Sequence, residues 1–145
     1  MGIVDRIVGT WTLVSFEHTG ENGERVLTYG EEPAGLLMYD ALGYMSAQIM
    51  DRSRRRFASG NRRAGTCDEL RAAVEGYVSY FGRYSVDERG GFVIHEEVGD
   101  VFPNAVGTKQ KRYVKLDGDL LILTTPPYLI GNHTSSARVV WRRAV

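Results

Sequence analysis

Gly9-Thr10-Trp11-Thr12-Leu13-Val14-Ser15-Phe16-Glu17-His18 is the stretch whose reading decides how this chain folds. Apolar and polar side chains largely alternate along it, and β-branched and aromatic residues dominate, the pattern of a half-buried strand rather than a helix. A second tryptophan, Trp141, stands in the last such run, Arg138-Val139-Val140-Trp141-Arg142-Arg143. If these two ends pair, the sheet between them closes, with Gly9-Thr10-Trp11 at its plugged end.

The runs between them keep the same character. Residues 3–8 are expected to form one short helical turn. Glu21-Asn22-Gly23-Glu24 is a turn leading into a strand at Arg25-Val26-Leu27-Thr28-Tyr29. Gly35 to Tyr39 and Tyr44 to Met50 flank Asp40-Ala41-Leu42-Gly43. A symmetric hairpin pairs Tyr39 with Tyr44 and Met38 with Met45. It turns Leu36, Met38, Met45, Ala47 and Ile49 inward. Tyr80 to Asp87 and Phe92 to Val98 form another hairpin across Glu88-Arg89-Gly90-Gly91, with Tyr84 beside His95 and Val86 beside Val93 on the inner face. Asp117-Gly118 is the strongest hairpin signal. It pairs Leu116 with Asp119 and Val114 with Leu121, and points Gln110, Arg112, Val114, Leu116, Leu121 and Leu123 inward.

One segment has a different period. Thr66 and Glu69 make a capping box, and Leu70, Ala73, Val74, Tyr77, Val78 and Phe81 follow at helical spacing. This helix ends by Gly82 at the latest, and strand is allowed from Ser79. Residues 51–65, which hold Arg52, Arg54, Arg55, Arg56, Arg62 and Arg63, have no period and read as a loop.

Composition narrows the function classes. The 145 residues, 43% hydrophobic and 25% charged, suit one globular domain spanning 1–145. Eighteen basic and eighteen acidic residues cancel, so no overall field draws the chain to nucleic acid. The arginine cluster lacks the interleaved aromatics of a nucleic-acid surface. No apolar run approaches the roughly 20 residues of a membrane-spanning helix, so no membrane insertion is expected. Cys67 is alone, which excludes an internal disulfide and fits a reducing compartment. The N-terminus lacks the basic and apolar segments of a signal peptide, and a cytoplasmic location is expected. His18, His95, His133 and Cys67 have no ligand-type spacing, and no metal or cofactor is expected.

The ordered series of motifs resembles a known family, the small bacterial and fungal lipocalin-like domain proteins. The residues that carry the likeness are Gly9-Thr10-Trp11, Gly35 to Tyr39, Gly43 to Ala47, Gly76 to Tyr84, Pro103-Asn104 with Gly107, and Val140-Trp141. The likeness spans most of the chain. It implies an all-β fold: a single antiparallel barrel of about eight to nine strands, with one helix inserted mid-chain. It also implies that Trp11 packs across the closed end under a basic residue of the final strand, Arg142 or Arg143, with Gly9 beside it. The mid-chain helix departs from long-chain lipocalins, which carry theirs near the C-terminus. Some members bind apolar molecules, and some relatives in natural-product pathways resemble cyclases or isomerases, so the resemblance selects no reaction.

Three functional readings follow. The first is a barrel that binds a small, mainly apolar molecule with one polar end. Met38, Met45, Ile49 and Leu123 are wall residues, with Leu36, Ala47, Val93 and Val114. Arg112, Tyr84, His95, Gln110 and Asn104 are the polar candidates. Arg112 either anchors a ligand oxygen through forked, charge-assisted hydrogen bonds or is neutralised by Glu17 or Glu97. The second reading is a cofactor-free cyclase or isomerase, with His95, Tyr84 and Arg112 as catalytic candidates. Against it, the better reading of His95 is a core histidine satisfied by its neighbours, since no third orienting group is evident from spacing. The third is an interaction module whose barrel is filled by its own side chains. The helix and the arginine loop are expected to cover the mouth. Oligomeric state is left open.

Overall fold

The computed structural model describes all residues, 1–145. Helix α1 (Ile3–Ile7) precedes β1 (Gly9–Gly20), β2 (Arg25–Val26), β3 (Ala34–Tyr39) and β4 (Tyr44–Met50). Helix α2 (Cys67–Glu75) then leads into β5 (Tyr77–Asp87) and β6 (Phe92–Asp100). A 3-10 turn at Pro103–Ala105 is followed by β7 (Lys109–Asp117), β8 (Leu120–Thr124), β9 (Tyr128–Ile130) and β10 (His133–Arg143). The sheet runs β1-β3-β4-β5-β6-β7-β8-β10, every pair antiparallel, and β10 returns to pair with β1. The result is a closed eight-stranded barrel, with β2 and β9 added at the edges of β1 and β10. Closure removes the free strand edges that invite association. No helix is long and apolar enough to cross a membrane.

The antiparallel order sorts the connections. The short turns after β3, β5 and β7 all lie at one end, beside Gly9 and Trp11. The long connections, with α2 and the 3-10 turn, lie at the other. The closed end is built around Trp11, 1% exposed, whose indole N–H donates to the Ile7 carbonyl at 2.9 Å. The basic residue over its ring is Arg143, 4.2 Å from the centroid, within cation–π range. Arg143 also donates to the carbonyls of Val8 and Arg6, tying the last strand to the first helix. Arg142, the other basic candidate for this position, faces out and pairs with Asp119. Gly9 has φ +136°, and a Cβ there would stand 2.7 Å from Arg143 Nη1. The glycine is required twice, by its backbone and by the guanidinium packed on it. Glu88, in the β5–β6 turn, accepts from the first backbone N–H groups of α1 at 2.8 and 3.0 Å and holds that helix over the floor.

Two register expectations need correction. Asp40 joins the β3–β4 ladder, its N–H donating to Tyr44 O, and its carboxylate takes the N–H groups of Leu42 and Tyr44. The loop is therefore three residues, with Gly43 at φ +94°, and Tyr39 pairs with Met45, not Tyr44. A one-residue slip reverses a whole strand face. Met45, Ala47 and Ile49 do point inward, but Leu37 and Tyr39 join them while Leu36 (41% exposed) and Met38 (45%) face out. At β7–β8 the turn is Gly118-Asp119, and Leu116 pairs with Leu121. That shift of two residues leaves the inward face as expected.

Thr66 and Glu69 form the expected capping box. The helix stops at Glu75, earlier than its apolar spacing suggests, and β5 starts at Tyr77. None of its residues is buried, and Leu70 and Val74 lie exposed. Residues 51–65 have no regular structure. Arg54 within them is nevertheless structural, stacking on Tyr77 at 4.9 Å and donating to the Ala73 carbonyl near the helix end.

The closed end yields a contrast testable by denaturant unfolding. Trp11→Ala is expected to cost about 3–5 kcal/mol, as for other fully buried large aromatics. Arg143→Ala should cost about 1–3 kcal/mol through its lost carbonyl bonds and cation–π contact. Arg142→Ala, which removes an exposed ion pair, should stay within about 0.5 kcal/mol. Equal effects for the two arginines would refute the Arg143 clamp.

Candidate functional site

Above the floor the barrel is not filled. An inner chamber of about 130 Å³ is lined by apolar residues including Phe16, Leu37, Ile49, Leu123, Val139 and Trp141. Its polar members are Tyr29, Tyr80, His95, Arg112, Thr125 and Tyr128. That volume approaches the roughly 150 Å³ of an apolar cavity that takes up one benzene ring. An outer chamber of about 520 Å³ lies towards the mouth. Val74 and Tyr77 border it at the β5 side, Phe102, Pro103 and Asn104 at the 3-10 turn, and Leu129 on β9. Val78, Tyr80, Arg112 and Tyr128 line both chambers, so they form the neck between them.

His95 sits in the wall with 1% exposure. Its Nε2 meets Tyr39 Oη at 2.6 Å and its Nδ1 meets Tyr80 Oη at 2.9 Å. Burial, and secondarily the Arg112 charge, push its pKa down to about 3, so the ring is neutral at ordinary pH. A neutral ring donates from one nitrogen and accepts at the other. With the proton assigned to Nδ1, Tyr39 donates to Nε2, and Tyr80 accepts from the ring. The Tyr80 hydroxyl proton is then free to face the chambers. A similar arrangement guards the rim, where His18 meets Thr28 Oγ1 at 2.5 Å and Tyr128 Oη at 2.6 Å.

Arg112 is the neck's cation. Its Nη1 donates to the neighbouring Lys111 carbonyl at 2.9 Å. Neither anticipated carboxylate neutralises it. The ion pairs within 4 Å in this molecule are Arg71–Glu75 and Arg142–Asp119, both on the surface. Glu17 falls on the outer face opposite Arg138, between the inward Phe16 and His18. Glu97 does face inward, but burial first and its neighbour Asp100 next push its pKa up to about 8, which holds it protonated near neutrality. The guanidinium thus keeps donors with no anion to receive them.

Glu97 and Asp100 share the barrel interior because of a β-bulge. Phe81 pairs with Gly99 but Gly82 with Glu97, so Val98 is the extra residue on β6. The bulge turns both Glu97 and Asp100 toward the outer chamber, where regular alternation would place only one of them inward. A Cβ on Gly82 would collide with the Glu96 carbonyl, so the irregularity depends on that glycine. Two buried polar atoms near the chambers lack partners: Glu97 Oε2 and Trp141 Nε1.

Of the residues anticipated from sequence, His95, Ile49, Arg112 and Leu123 line the inner chamber, and Asn104, Gln110 and Arg112 the outer one. Met38 is outside the barrel, and Met45 belongs to the packed core rather than to either chamber wall. Tyr84 does pair with His95 in the ladder, but its hydroxyl donates to the Asp40 carbonyl at 2.6 Å, away from the imidazole. The tyrosines that contact the imidazole are Tyr39 and Tyr80. Tyr80 was within reach of the sequence, since it shares the inward face with Tyr84 four residues on. Tyr39 was hidden by the hairpin slip. Glu97 was anticipated on the inward face of β6, but Asp100 was hidden by the bulge.

Comparison with known proteins agrees with this architecture. The profile of the lipocalin-like domain family matches residues 8–144. A protein of Aspergillus oryzae (strain ATCC 42149 / RIB 40), the 4'-hydroxy-3'-methoxypropiophenone carrier protein ppsC, is 33% identical over 106 residues. That alignment covers 68% of this chain and 96% of the relative. A solved lipocalin-like protein from Bacteroides uniformis ATCC 8492 superposes with a TM-score of 0.49 at 15% identity, over 95% of this chain and 98% of its own. With a match over nearly its whole length, the chain belongs to the lipocalin-like domain family.

Proposed function

We propose that this protein is a non-catalytic carrier for a small aromatic molecule bearing oxygen substituents, acting in the cytoplasm. The observation that carries the reading is Arg112: an inward guanidinium, without a carboxylate partner, at the neck of a chamber the size of one ring. An apolar pocket with a few convergent polar groups is the usual form of a small-molecule site. The ring or its alkyl substituent fills the inner chamber. A carbonyl or phenolic oxygen meets Arg112 and the free Tyr80 hydroxyl. Trp141 offers a further donor, since its buried N–H has no acceptor. The relative named as a carrier of an aromatic ketone supports the ligand class and the carrier role.

Carriage is favoured over catalysis by the state of His95. A general base works best with a pKa near the operating pH, and this imidazole, at about 3 and engaged at both nitrogens, fixes tyrosines instead of moving protons.

Quenching of tryptophan fluorescence reports occupancy, because Trp141 lines the inner chamber. Titration with 4'-hydroxy-3'-methoxypropiophenone is expected to saturate at one site, and the molecule should be recovered chemically unchanged. Arg112→Met should weaken binding about 10- to 100-fold, the loss of a charge-assisted hydrogen bond of about 1.5–3 kcal/mol. Unchanged affinity in that variant would overturn the assignment of Arg112, and conversion of the molecule would overturn carriage.

The buried histidine predicts a pH dependence. The unfolded chain takes up a proton near pH 6.5, while folded His95 does so only near 3. Its contribution is therefore fully present above about pH 6.5 and is lost as pH falls toward 3. The stability difference between wild type and His95→Gln should narrow over that window, by at most about 1.4 kcal/mol per pH unit. A gap that stays constant from pH 6.5 to 4 would refute the buried neutral imidazole.

A further inference from the structure

Glu97 is 4% exposed, faces the outer chamber, and has a carboxyl oxygen, Oε2, that no N–H or O–H of the protein reaches. An unmet buried acceptor is costly and calls for a partner. Arg112 does not supply it, lying beyond ion-pair distance. Asp100, brought to the same face by the bulge at Val98, has one oxygen occupied by the Phe102 N–H at 2.7 Å. Its other oxygen can share a proton with Glu97. The raised pKa of Glu97 fits this pairing, with Asp100 among its causes. A Glu97 proton committed to Asp100 leaves the remaining Glu97 oxygen able only to accept.

We propose that Glu97, backed by Asp100, is a second ligand-reading group, which accepts a hydrogen bond from a phenolic hydroxyl on the bound molecule and so selects phenols over their methyl ethers. This rests on the carrier reading above and adds a polarity to it. Arg112 and Tyr80 at the neck supply donors, and Glu97 in the outer chamber supplies an acceptor. The ligand must therefore present an oxygen acceptor to the neck and a hydroxyl donor to the outer chamber. Apolar residues of that chamber, among them Val74, Phe102 and Leu129, accommodate the ring edge beside the hydroxyl. A methyl ether in the same pose leaves Oε2 buried without a donor and adds a methyl group against it. Sites built to hydrogen-bond a hydroxyl reject analogues that lack it more strongly than apolar pockets discriminate by size.

The test compares 4'-hydroxyacetophenone with 4'-methoxyacetophenone, which differ at one oxygen, by titration calorimetry on wild type, Glu97→Leu and Glu97→Gln. Wild type is expected to prefer the phenol by about 10- to 100-fold. Glu97→Leu should bring the ratio to about one, mainly by improving the ether. Glu97→Gln mimics the protonated carboxyl, its amide N–H donating to Asp100 and its carbonyl accepting from the phenol, so the ratio should persist. Glu97→Met, a second apolar variant, carries the same expectation as Glu97→Leu if the leucine variant does not fold. A purely structural Glu97 would change both affinities together in the apolar variants and leave the ratio intact. Equal affinities in wild type, or a ratio that persists in a folded Glu97→Leu or Glu97→Met variant, would overturn this proposal and leave the carrier reading standing. Failure of wild type to bind either probe would overturn both.

Discussion

The guanidinium of Arg143 against the face of Trp11 is the contact on which the rest of this fold depends. A barrel needs its last strand to find its first, across nearly the whole chain. Here one side chain from β10 covers the first tryptophan and takes two carbonyls from the segment that leads into it. The backbone ladder between β1 and β10 supplies most of the hydrogen bonds of closure, but a ladder alone tolerates slippage. Trp11, Gly9 and Arg143 fix the register, because only one alignment gives the guanidinium a seat with no Cβ in it. Once that end is fixed, inward positions along every strand are fixed too.

Those inward positions carry more hydroxyls and charge than a purely structural core requires. Tyr39, Tyr80, His95, Glu97 and Arg112 all project inside, and packing alone would be served as well by leucines. Each buried polar group lowers stability unless it is partnered. His95 is fully partnered by two tyrosines, whereas Arg112 and Glu97 are not. At the rim His18 is likewise held by Thr28 and Tyr128, while the buried Trp141 N–H of the inner chamber has no acceptor.

The barrel was legible in the sequence because its evidence is local and repeated: alternation, glycine-bearing turns, the Thr66–Glu69 capping box, and two tryptophans at matching ends. The inward face of β7 was legible even with its turn misplaced, since a slip of two residues preserves the side-chain face. The face of β3 was not. Leu36 and Met38 are as apolar as Leu37 and Tyr39, so hydrophobicity could not arbitrate, and the decision rested on Asp40 entering the ladder. The site was only partly legible for the same kind of reason. Arg112 stood out as a charge on an inward face. Glu97 and Asp100 fall on opposite faces under strict alternation, and only the bulge at Val98 brings them together. A bulge depends on the close approach of two strands at Gly82, which one strand's pattern does not record. Helix α2 shows the converse: its apolar spacing continues past Gly76, while sheet pairing claims Tyr77 onward.

The sorting of connections by length has a consequence for how such a barrel diversifies. Turns of two to four residues join strands at the floor, where one added residue would invert a face or unseat the guanidinium. The connections at the opposite end, including residues 52–65 and 102–106, contribute no ladder pairs. Insertions, deletions and wholesale replacements can accumulate there while the strands keep their alignment. One end of the molecule is therefore a fixed frame for inheritance, and the other is open to variation. Selection can reshape the approach to the chamber without re-solving the folding problem.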